Sequence, residues 1–146
     1  MLHFHTHIQA APAGTTRAAE LTIAGRTVAP LKMPEPATRP TWGVTFDNAA
    51  DQLTRLPRFF YEPDGSFAWF SASGAPSWRL EGNLYDRGDE LAYVELKGTC
   101  PEQEFNQLLT ALGWPDAPLM FQVSRLGLHL DENDFRRLAA TPAGAI

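Results

Sequence analysis

The 146-residue chain has a single cysteine, no long apolar run and no surplus of basic charge. Each shortage excludes something. A lone Cys100 forms no internal disulfide and agrees with a reducing compartment. The apolar stretches are only a few residues long, far short of the ~20 needed to cross a bilayer. The opening MLHFHTHIQA also lacks the basic region and apolar core of an export signal. The sequence therefore predicts a cytoplasmic protein with no membrane partner. Twelve basic residues against seventeen acidic ones leave a net charge of −5. A nucleic-acid binder concentrates basic charge against phosphates, so nucleic acid is not an expected partner.

What is present suffices for one domain, at 44% hydrophobic and 11% aromatic residues. At 16.1 kDa, about two-thirds of the unfolded surface is expected to be buried, a core that needs no disulfide or structural metal. Residues 1–43 differ from the rest. They hold Pro12, Pro30, Pro34, Pro36 and Pro40, with Arg17, Arg26, Lys32 and Arg39 against Glu20 and Glu35, which leaves −7 on residues 44–146. We read 1–43 as a Pro/Ala/Thr-rich arm with a short hairpin at 21–29 turning at Gly25-Arg26, ordered only if it docks. Residues 44–146 read as a single α+β domain.

Within that domain, Phe46, Ala49, Ala50, Leu53 and Leu56 have helical spacing, with Thr45 or Asp47 as cap and Pro57 as stop. The run 58–62, Pro63-Asp64-Gly65 and 66–70 predicts a three-residue hairpin with Phe59 opposite Trp69 and Tyr61 opposite Phe67. Aromatics on both of its faces suggest a central place in the sheet. Strands at 78–85 and 91–96 complete a meander. A helix is expected to open at Cys100-Pro101, with strands near 119–124 and 126–130 and a last short helix capped by Asp131. Residues 141–146 read as frayed. The predicted fold is an antiparallel meander of four to six strands with two or three helices mainly on one face.

Three groups of residues have the look of chemistry. His3, His5 and His7 would project from one face of a strand and suit zinc or nickel, but nothing near them in sequence supplies a carboxylate, so no metal is expected. Their His-x-His spacing resembles the motif on the first strand of metal-dependent barrel hydrolases, a fold of ~250 residues that this chain is too short to form. Cys100 at a helix start, with His129 and Asp131 downstream, has the order of a thiol hydrolase, although Glu102 and Glu104 favour the neutral thiol. Arg87-Gly88-Asp89 spells an adhesion tripeptide but stands where a turn is required.

Nine of the sixteen aromatics fall between Phe59 and Tyr93. One sheet face under the helices can absorb about half of them. The sequence thus predicts a non-enzymatic interaction or ligand-binding module, with Phe59, Tyr61, Phe67, Trp69, Trp78 and Tyr93 as its face. A protein partner, self-association as a homodimer, or a small ligand would cover that face, with no cofactor. The alternative is a small enzyme with Cys100 as nucleophile and His129 as base.

Overall fold

A computed structural model describes residues 1–74, 76–141 and 146. In chain order the elements are β1 (Leu2–Ala10), β2 (Thr16–Arg17), β3 (Leu21–Ile23), β4 (Arg26–Val28), β5 (Leu31–Lys32) and α1 (Phe46–Thr54). They continue with β6 (Phe59–Tyr61), β7 (Ser66–Phe70), β8 (Arg79–Arg87), β9 (Glu90–Cys100), α2 (Glu102–Ala111), β10 (Leu119–Val123), β11 (Leu128–Leu130) and α3 (Glu132–Ala139). The fold is α+β, with three helices and an antiparallel sheet ordered β11-β10-β1-β9-β8-β7-β6. Four to six strands were expected and seven are present.

The additional strand is β1, and it sits inside the sheet. Leu2, Phe4, Thr6, Ile8 and Ala10 are buried while His3, His5, His7 and Gln9 are half-buried, the alternation of a strand with one covered face. β1 pairs with β9 from Leu2↔Cys100 to Ile8↔Val94 and with β10 from His7↔Gln122 to Ala10↔Leu119. The first ten residues therefore pair inside the sheet that the later strands build. The meander β6-β7-β8-β9 therefore continues into β1 before β10, and the connection from β9 through α2 to β10 crosses over β1.

The rest of the N-terminal segment docks through specific bonds. Leu21–Ile23 pairs with Arg26–Val28 across Ala24 and Gly25, both at positive φ, as a two-residue hairpin turn requires. The Ala29 N–H donates to Asp134 at 2.9 Å, Arg17 pairs with Asp131 and Asp134, and the Trp42 indole donates to Leu112 O at 2.6 Å.

All three helices contribute to one apolar cluster on one side of the sheet. Thr45 caps α1 by accepting from Asn48 N at 3.1 Å. Asp131 caps α3 by accepting from Asp134 N at 2.9 Å. The predicted hairpin register is present, Phe59↔Trp69 through Tyr61↔Phe67. Its expected central position is not, since β6 is the sheet edge and Phe60 is 63% exposed. The fraying expected at 141–146 falls mostly on 142–145, outside the described residues. Among the described residues, no helix is long and apolar enough to cross a membrane.

Candidate functional site

The sheet's two faces separate the sequence candidates. Phe67, Trp69 and Trp78 are buried, and half-buried Phe59 and Tyr61 pack against the same cluster on the helix side. Phe59 stacks on Phe67 at 4.7 Å, Trp69 meets Trp78 edge-on at 5.1 Å, and the Trp69 indole is satisfied by Pro57 O at 2.9 Å. Burial, with the Asp47 and Asp64 charges, raises the Tyr61 phenol above its usual value. Five of the six residues expected to form a ligand face thus belong to the covered side. Tyr93 alone lies on the other side, because it is Cα partner to Tyr85 and flanks inward-facing Val94.

The thiol constellation does not assemble. Cys100 ends β9 rather than capping a helix, and α2 begins after Pro101 with no side-chain cap. The thiol is fully buried, and burial first, then the Glu104 charge, pushes it up to about 12. Cys100 pairs with Leu2 on the core side, whereas His129 pairs with Gln122, itself the partner of His7 on the opposite side. The strands carrying them are three positions apart, about 14 Å at the usual spacing. Asp131 is occupied as a helix cap and an Arg17 ion-pair partner. Burial lowers the His129 imidazole below its ordinary value, toward the neutral form.

Among the described residues no helix covers the remaining face, and there the strand alternation places His5, His7, Tyr85, Tyr93, Glu95 and Lys97 side by side. The register gives the reason. His5 is partner to Lys97, His7 to Glu95, Asn83 to Glu95 and Tyr85 to Tyr93, and paired residues share a face. Glu95 is the hub. Its Oε1 lies 2.9 Å from His5 Nε2 and 3.9 Å from His7 Nε2, and its Oε2 lies 3.5 Å from the Tyr85 hydroxyl. The His5 hydrogen bond holds the Glu95 carboxyl below its ordinary range against the opposing effect of burial, helped by His7 and Tyr85. The carboxylate accepts, so His5 Nε2 donates. Beside it, Tyr85 and Tyr93 stack at 4.3 Å and 16°, and Ser124 Oγ lies 3.3 Å from His7 Nδ1.

Three depressions mark this face. One of 310 Å³ is bordered by His7, Gln9, Tyr93 and Gln122. Another of 210 Å³ is bordered by Glu81, Asn83, Glu95 and Lys97. The largest, 490 Å³, is bordered by His3, His5, Lys97, Thr99 and Arg125 among others. The buried Asn83 Oδ1 accepts no hydrogen bond among the described residues.

Glu95 is the carboxylate that the histidine run lacked in sequence, contributed from 90 positions away. It serves as a hydrogen-bond acceptor. Among the described residues, no group of three or more His, Cys, Asp or Glu is arranged to hold a metal ion. Tyr85, Glu95, Lys97 and Ser124, which the structure brings to this face, were not among the residues singled out from the sequence. The alternation along each strand was readable, but the register that brings them to His5 and His7 was not. Comparison with protein-family models, with curated proteins and with solved structures yields no match, so the reading of this face rests on its own geometry.

Proposed function

We propose that the protein is a non-enzymatic binding module that holds a small polar ligand on the helix-free face of its sheet. The observation that carries this reading is the network centred on Glu95, a fixed set of donors and acceptors beside a stacked tyrosine pair. Preorganised polar groups next to an aromatic surface orient a ligand without costing much ordering entropy. Depressions of 210 to 490 Å³ along β1, β8 and β9 give it room.

Amide shifts in ¹H–¹⁵N spectra test the reading during titration with a monosaccharide, a nucleotide and a small dicarboxylate. At least one of the three should move signals of His7, Tyr85, Tyr93 and Glu95 together. If none moves any signal on this face, the reading fails.

A protein surface, including a second copy of the chain, is the second reading, and the β6 edge favours it. Phe60 is 63% exposed, meets Phe70 edge-on at 5.7 Å, and shares its face with Ala68. A solution mass that doubles with concentration, and reverts in Phe60→Ser, would put this reading ahead of the first.

A further inference from the structure

β9 lies between β8 and β1, and the two ring faces of Tyr93 follow that order. Tyr85 of β8 stacks on one of them, at 4.3 Å and 16°, so the other looks toward β1 and the 310 Å³ depression bordered by His7, Gln9, Tyr93 and Gln122. None of these four residues is an Asp, Glu, Lys or Arg. Gln9 is the Cα partner of Met120, two positions from Gln122, which makes the two glutamines diagonal neighbours, roughly 7–8 Å apart in such a pair. Both are half-buried, and among the described residues neither side-chain amide makes a hydrogen bond. Each therefore offers a ligand one carbonyl acceptor and an NH2 donor group. The His7 ring closes the depression. It is tilted 51° to Tyr93 at 5.8 Å, so the two rings form a wedge rather than a parallel slot.

An ionised group placed here would give up hydration without meeting an opposite charge from the lining. A flat base would find one ring face and no second one parallel to it. A neutral pyranose ring matches on each count. Its C–H groups are drawn to the negative face of Tyr93, its adjacent hydroxyls donate and accept as the amides do, and its puckered body suits a wedge. The volume lies at the lower end of the ~300–1,000 Å³ of small-molecule sites. Resting on the reading of this face as a ligand site, we infer that the depression between Tyr93, Gln9 and Gln122 binds an uncharged sugar residue.

Three neutral probes, the methyl glycosides of glucose, galactose and mannose, are titrated into the full chain beside glucuronate and uracil. At least one glycoside should move the side-chain NH2 signals of Gln9 and Gln122 and the ring signals of Tyr93 along one saturation curve. Glucuronate and uracil should bind at least tenfold more weakly. Gln122→Leu keeps the bulk, removes the amide and should weaken binding at least fivefold, whereas Gln52→Leu, at an exposed position of α1 on the other side of the sheet, should leave it unchanged. Should Gln122→Leu disturb the fold, Gln9→Leu with an unchanged far-ultraviolet spectrum provides the same test.

The absence of a saturable shift with all three glycosides would overturn the inference. So would shifts that miss Gln9, Gln122 and Tyr93, equal weakening in the Gln122 and Gln52 variants, or uracil or glucuronate binding as tightly as the best glycoside. If a nucleotide or dicarboxylate registers at Tyr85 and Glu95 while no glycoside registers at Gln9 and Gln122, the sugar inference fails and the binding face stands. If no ligand of any kind registers, both fail.

Discussion

Along β1, residues of even number pack under the helices and residues of odd number face away from them, so a single strand builds two unlike surfaces. On the covered side, Phe4 meets Phe105 at 5.3 Å and Phe135 at 5.4 Å, and Phe121 stacks on Phe135 at 4.5 Å. On the other side His5, His7, Glu95, Tyr85 and Tyr93 meet through hydrogen bonds and one ring stack. The first surface is held by volume and the second by polarity. Stability should therefore be concentrated on one side, and chemistry on the other.

The test with the largest expected effect addresses the covered side. Phe121→Ala should cost about 3–5 kcal/mol in urea unfolding, because it removes a fully buried ring and leaves a cavity between Phe105 and Phe135. A cost below that of any substitution on the helix-free face would break the comparison. Next in size is Asp134→Ala, which probes how the docked N-terminal segment is held. Asp134 is almost fully buried and accepts from the Ala29 N–H, Arg17 and Arg137. Its loss should cost about 2–3 kcal/mol, since a buried N–H is left without a partner and an ion-pair network is opened. Limited proteolysis should then cut between Ala18 and Ala29 before it cuts the sheet. Unchanged proteolysis would show that this segment is held by other contacts.

Why the first strand escaped sequence reading is instructive. Leu2-His3-Phe4-His5-Thr6-His7-Ile8 alternates cleanly, but the proline-rich segment after it led the whole of 1–43 to be read as one unit. Thr6 added to the effect, since a hydroxyl at an inward position looks polar until its donation to Gln122 O at 2.8 Å is known. Local signals did predict the capped helices and the Phe59–Trp69 register, because caps and tight turns are decided within a few residues. The candidate face was a harder problem. Aromatic density marks the 59–78 region, yet density does not say which side of a sheet a ring takes, and those rings filled the core. Glu95 and His5 are joined only by strand order, a long-range property that no window of sequence contains. The sequence thus made the meander legible and left the polar face hidden.

Tyr93→Ala addresses the open face directly. It removes the 4.3 Å stack on Tyr85 and should cost about 0.5–1.5 kcal/mol, since both rings stay partly in water. Thermal unfolding of Tyr85→Ala, Tyr93→Ala and the double variant measures the coupling. Strict additivity would mean that the stack contributes nothing beyond the area each ring covers.

The smallest effect expected is a pH dependence centred on Glu95. Its carboxyl is held below the ordinary value of 4.5, chiefly by the His5 hydrogen bond. The unfolded chain therefore takes up this proton at a higher pH than the native one. The resulting stabilisation is complete above 4.5 and fades as the pH falls through the lower native value. Both side chains are 33% exposed, and water screens the contact, so its contribution should stay below about 1 kcal/mol. Glu95→Gln keeps the shape and an acceptor but cannot ionise. Urea midpoints of the two proteins should differ at pH 6 and converge toward pH 3, with the same slope against denaturant throughout. A gap that stays constant over this range would mean that Glu95 acts through its shape alone. The helix-free face would then owe its order to the tyrosine stack and the backbone beneath it, with the histidines as passengers.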